Sequence, residues 1–214
     1  MSYRAIAELG LAKPELKSKL DKLVTQSLQE LNARQRSDGG WSWCSYHNSH
    51  APTTAYALIG MAEAKRLGYP VAPLVIQRAQ RIVRSLLITP TLQAETWRLN
   101  RQAFLLYALA SSGAPDAARS ATLFNHRARL NLDAIAFLAQ ALHIISPEDD
   151  RLDTLGQMML NRAVTRASGT FFEETYRDRW NWSSNLRSTA FARVPVFGHH
   201  ARKLPGRSSR SQTG

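Results

Sequence analysis

Within the stretch SDGGWSWCSYHNSH, Ser37 to His50, three residues could do chemistry: Cys44, His47 and His50, spaced by three. A thiolate with two imidazoles is a donor set that zinc accepts. A tetrahedral site takes a fourth ligand, and no second Cys/His pair stands at a standard distance. Cys44 beside His47 also supplies a thiol and a base, the parts of a cysteine nucleophile, but a loop does not fix their geometry. The residue types suit a structural corner better. Gly39 and Gly40 let the chain turn sharply. Trp41 and Trp43 are then expected to fold back over the ends of apolar helices, each burying a large area. No catalytic residue, metal ligand or cofactor is assigned on this reading.

Other polar groups give the same answer. The acids of SPEDDR, Ser146 to Arg151, stand at an expected helix start, where the helix dipole favours negative charge. Thr54 and Thr189 open apolar segments and are expected to cap them. His199-His200 has no partner in its surroundings.

The elements that must position the corner read as helices. Pro14 to Gln35 is amphipathic, with Leu16, Leu20, Leu23, Val24, Leu28 and Leu31 at spacings of three and four. Pro52 to Leu67 is small or apolar nearly all round, with Lys65 and Arg66 in its last turn and Gly68 as the stop. Pro73 to Leu87 is amphipathic again, with Arg78, Arg81 and Arg84 expected to face water. NRQAFLLYALASSG, from Asn100, repeats the uncharged type. A short helix is expected from Pro115 to about Phe124, an almost uncharged one from Asn131 to Ile145, and a charged one from Pro147 to Ala167. No strand alternation is evident.

Charged and apolar helices therefore alternate. One set faces solvent and the other lies among neighbours, which antiparallel helical hairpins in an arc or ring achieve in two layers. An internal similarity supports this. WSWCSYHNSHAPTTAYAL, from Trp41, and WNWSSNLRSTAFAR, from Trp180, both run Trp-x-Trp, a polar loop, then Thr-Ala-aromatic-Ala: Thr54 and Tyr56 in one, Thr189 in the other, with Trp182 matching Trp43. The helix starts are unevenly spaced, unlike a strict solenoid.

The totals bound the rest. The chain has 214 residues, 44% hydrophobic and 21% charged, enough for a real core. One cysteine excludes an internal disulfide. No apolar run approaches the roughly 20 residues of a membrane span, and the first residues lack the pattern of an export signal. The net charge is +12, but residues 193–214 hold five basic residues and no acid, leaving 23 basic against 16 acidic residues elsewhere. No basic run interleaved with aromatics appears, so nucleic acid is not expected as a partner.

Taken in order, LNARQRSDGGWSW, SHAPTTAYALIGMAEAKRLGYPV, NRQAFLLYALASSG, MLNRAVTRASGTFFEE and WNWSSNLRSTAFA resemble the thioester-containing domain of bacterial alpha-2-macroglobulin-like proteins. The resemblance runs from about Leu9 to Ala192. It implies an all-α fold, an α/α toroid made of helical hairpins and here an incomplete ring, over residues 1–192. It also implies the function of a protease-trapping inhibitor, with proteases or other domains of a larger macroglobulin as partners. The setting implied is the periplasm, cell envelope or extracellular space, against a cytoplasmic one for this chain expressed alone.

The family's covalent trap is a thioester joining Cys and Gln of a Cys-Gly-Glu-Gln motif. Cys44 is followed by Ser45-Tyr46-His47, so that chemistry is not carried over. His50 matches a histidine of similar loops, at most a surface or binding residue. Residues 193–214 depart from the family pattern and are expected to form a basic, disordered tail. An incomplete ring exposes apolar helix faces, so self-association is expected. Gln35-x-x-x-Gly39-x-Trp41 also resembles one repeat of triterpene cyclases, but their Asp-x-Asp-Asp acid motif is absent. A terpene-cyclase-like enzyme and a helical-repeat binding module are the alternatives.

Overall fold

In the computed structural model the residues described are 14–44, 48–166, 169–172, Asp178 and Asn181. Trp180, Trp182, Thr189, His47, His199-His200 and the tail from 193 lie outside them. The chain divides into two compact units.

The first unit comprises Met1–Leu87 and Ser111–Ala114. Helix α1 spans Pro14–Ala33, α2 Ala51–Arg66 and α3 Pro73–Ser85. Pro14 and Glu15 begin α1 as the missing N–H and the dipole favour. Ala51, Ala55, Ala57 and Ala64 let α2 approach its neighbours closely while Leu58 and Met61 fill the space between; α2 packs against both α1 and α3. Lys65 and Arg66 occupy its last turn and Gly68 follows at φ +90°. Val75, Ile76, Ala79 and Val83 form the buried face of α3, with Arg78, Arg81 and Arg84 outward as expected. The apolar residues of α1 remain half-buried at best, and Leu23 is 59% exposed.

The second unit comprises Ile88–Ala110 and Pro115–Gly214. It contains α4 Thr96–Ser111 (to Ala110), α5 Ala117–Asn125, a 3-10 turn Arg127–Arg129, α6 Leu132–Ile145 and α7 Arg151–Leu160. Every residue of α6 from Leu132 to Leu142 is buried, as its lack of charge implies. It packs against α5 and α7, and Phe137 meets Phe104 of α4 with ring centroids 4.8 Å apart. Asp116 caps α5 by accepting the Arg119 N–H at 3.0 Å. Buried Gln102 holds both backbone groups of Ile88, accepting its N–H at 3.0 Å and donating to its carbonyl at 2.8 Å.

The fold class is all-α, built from helical hairpins of the α/α-toroid type, with one departure. The charged helix expected to reach Ala167 stops at Leu160. An antiparallel hairpin follows, β1 Ala163–Arg166 with β2 Gly169–Phe172, Ala163 opposite Phe172. Val164, Thr165 and Thr170 are β-branched, and Gly169 favours a turn over continued helix.

Candidate functional site

Among the described residues, hydrogen bonds tie the two ends of the corner between Asp38 and Thr54 together. Gly39 sits at φ +95°, which disfavours any side chain, and a Cβ there would lie 2.7 Å from the Arg78 carbonyl oxygen. Gly40 faces the Ser49 side chain and the Thr54 hydroxyl closely enough to exclude a Cβ as well. Gln35 Nε2 donates to the Gly39 carbonyl at 3.0 Å and to Val75 of α3 at 2.9 Å. Asp38 Oδ1 accepts from the Gly40 N–H at 3.0 Å and the Ser49 hydroxyl at 2.7 Å. Burial pushes the Asp38 carboxyl up, but those donors, the Ser49 N–H and the nearby Arg36 charge together hold it below the ordinary carboxylate value.

Trp41 is 4% exposed, and its indole N–H donates to the Leu31 carbonyl of α1 at 2.8 Å. Its backbone N–H donates to Thr54 Oγ1 at 3.0 Å; the Thr54 hydroxyl returns a bond to the Trp41 carbonyl at 3.3 Å, which also accepts from the His50 N–H at 2.8 Å. Two sequence expectations need correction here. Thr54 is not a cap: His50 holds the N-cap position of α2, and Thr54, fully buried in the first turn, fastens the preceding loop. Trp43 does not fold back, since it is 70% exposed and lies in a bend of the loop. Tyr56 is 41% exposed, Cys44 is exposed, and His50 Nδ1 lies 2.8 Å from Thr53 Oγ1. A cleft of about 210 Å³ beside α1, bordered by Leu28, Gln29, Asn32, Met61 and Val71, has no titratable side chain in its wall among the described residues.

Sequence reasoning missed a second polar cluster, in the other unit. Asp178 is 1% exposed. Its Oδ2 accepts from Asn100 Nδ2 at 2.8 Å and Asn181 Nδ2 at 2.6 Å, and its Oδ1 from the Asn181 N–H at 3.1 Å. Asn100 Oδ1 accepts the Asn131 N–H at 3.0 Å, and Asn181 also donates to the Trp97 carbonyl at 2.8 Å. Burial, then the Arg98 charge, lowers the Arg101 guanidinium from its usual value; Asp178 opposes the shift. The signal was available: an Asp shortly precedes each Trp-x-Trp, Asp38 in one and Asp178 in the other.

Packed helical hairpins, with α2 fastened to its preceding loop at a tryptophan corner, define an all-α helical module. No model of a known protein family matches the chain. It is similar to alpha-2-macroglobulin of Thermotoga maritima, 32% identical over 65 residues, 30% of this chain and 4% of that protein. Among solved structures it is similar to native alpha-2-macroglobulin from Escherichia coli spanning domain MG7 to the C-terminus. The TM-score is 0.69 at 20% identity, over 94% of this chain and 31% of that one. The native conformation of the E. coli protein by cryo-EM gives 0.68 at 18% identity, over 94% and 12%. Salmonella alpha-2-macroglobulin reacted with methylamine gives 0.62 at 19%, over 82% and 11%. The chain thus has the fold of a portion of these bacterial proteins and spans a small part of their length.

Proposed function

We propose that the chain is the thioester-domain-type helical segment of an alpha-2-macroglobulin-like protease-trapping protein, acting by non-covalent contact. The carrying observation is the fold likeness over 94% of the chain at a TM-score of 0.69. On this reading residues 1–192 form a partial toroid, and residues 193–214 a basic appendage. The partners are proteases or other domains of a larger macroglobulin, and the setting is the cell envelope or beyond it. No helix among the described residues is long and apolar enough to cross a membrane. Exposed Leu23, Leu67 and Leu74 on the first unit supply apolar surface for self-association.

The covalent step is left out because Cys44 does not stand in a Cys-Gly-Glu-Gln sequence. The corner residues Asp38, Gly39, Gly40, Trp41 and Thr54 act structurally, and the protein is not an enzyme. Intact-mass measurement after methylamine treatment, and denaturing gels after incubation with trypsin or elastase, test this. The expected results are unchanged mass and no denaturant-stable adduct. A methylamine adduct, or a protease adduct lost in Cys44→Ser, would overturn the non-covalent reading. Conversion of squalene by the purified chain would favour the cyclase-type alternative instead.

A further inference from the structure

Helix α3 carries three arginines and no acid over its 13 residues. Its inner face is Val75, Ile76, Ala79 and Val83, so Leu74, Arg78, Arg81 and Arg84 share the outer one. Spacing by three sets neighbouring arginines about 5–6 Å apart at Cβ. Among the described residues the Arg78 and Arg81 side chains make no ion pair, and the Arg84 guanidinium bonds only the Ala114 carbonyl, at 3.2 Å. Residues 48–87 hold five basic side chains and one acid, Glu63, which Arg66 engages through two hydrogen bonds. Among the described residues, then, no carboxylate pairs with the arginines of α3.

The helix is also held in place. Gln35 grips the Val75 carbonyl, Gly39 abuts the Arg78 carbonyl, and Gln80 Nε2 donates to Ser112 O at 2.9 Å. A guanidinium row on a fixed rod loses less freedom on binding than one on a loose segment.

We propose that the outer face of α3 is a docking site for an acidic stretch of polypeptide. Carboxylates three or four residues apart on a partner helix repeat with the pitch of the arginines, and each guanidinium can take one as a two-bond fork. Leu74, 54% exposed at the head of the row, gives the partner an apolar contact. The row is short, about 9 Å along the axis, small for a nucleic-acid interface of about 600 Å² or more. A membrane-surface helix would turn its apolar face outward, whereas that of α3 is buried. The proposal stands apart from the protease-trap reading.

Fluorescence anisotropy of a labelled polyglutamate peptide of about 20 residues, titrated with the full chain, tests it. Arg78→Gln/Arg81→Gln/Arg84→Gln is expected to weaken binding about tenfold or more, since its charge-assisted hydrogen bonds to carboxylates are lost. Lys17→Gln/Lys19→Gln/Lys22→Gln on α1 removes the same charge and is expected to weaken it less than about threefold, through screened long-range attraction only. Arg78→Gln/Arg81→Gln, which spares the Ala114 bond, is expected to weaken binding with an unchanged circular dichroism spectrum. Equal losses in the arginine and lysine triples, or no loss in the arginine variants, would overturn the proposal. So would tighter binding of duplex DNA or phosphatidylserine vesicles through the same arginines.

Discussion

Replacing Thr54 by Val tests the corner at its centre. Valine keeps the volume and branching of threonine and removes only the hydroxyl. Thr54 is fully buried, and its Oγ1 is the acceptor for the Trp41 backbone N–H at 3.0 Å. The Trp41 carbonyl keeps the His50 N–H at 2.8 Å, so one buried group, the Trp41 N–H, loses its partner. A buried donor left unsatisfied costs about 1–3 kcal/mol. For a chain of this size that lowers the melting temperature by about 2–12 °C. Urea unfolding followed at 222 nm measures the loss, and amide exchange at Trp41 locates it: Trp41 N–H should exchange faster in Thr54→Val and remain protected in Thr54→Ser. Stability within about 0.5 kcal/mol of the parent, a range typical of uninvolved surface positions, with Trp41 exchange unchanged, would refute the view that this hydroxyl fastens the loop.

The corner glycines and Gly60 should respond in opposite directions. Gly39→Ala meets both a positive φ and the Arg78 carbonyl, and is expected to destabilise by about 1–3 kcal/mol or more. Gly60→Ala, within α2 with open space around its Cβ, should stabilise by about 0.5–1 kcal/mol in the same urea assay. Asp38 titrates below its ordinary value in the folded chain, so its contribution is full above the unfolded value of about 3.9 and is lost as pH falls through the folded one. Acid unfolding of Asp38→Asn should therefore depend less on pH below about 4 than that of the parent. In the second unit, Asp178→Leu leaves Asn100 and Asn181 donors facing an apolar side chain, and should cost about 2–6 kcal/mol by denaturant unfolding, about 1–3 for each donor left unsatisfied. A loss under about 1 kcal/mol, the size of one ordinary net hydrogen bond, would show that the amide cluster does not depend on the carboxylate.

The all-α class was legible because helical periodicity is written in residue types. Leu16 to Leu31 recur at three and four, and Leu132 to Leu142 contains a single charge, Asp133. The glycine turn at Gly39-Gly40 was legible for a similar reason, since a missing Cβ is a local property. The hairpin after Leu160 was not: Ala163 to Phe172 is short, and helix and strand preferences compete over so few residues until pairing decides. The place of Asp178 before Trp180 could mark the acid, but its partner Asn100 stands 78 positions away, and no local pattern names it.

The sequence by itself therefore determined the helical segments as far as Leu160, which of their faces carry charge, the turn at Gly39-Gly40, and that Cys44 lacks the motif for a thioester. Only the tertiary structure decided that Trp41 goes in while Trp43 stays out, and that Thr54 ties a loop rather than capping a helix. Both tryptophans are equally apolar, and the two threonine roles need the same hydroxyl. Which one occurs depends on where Leu31 of α1 and Thr54 of α2 present a carbonyl and a hydroxyl, and those come together only when the helices pack.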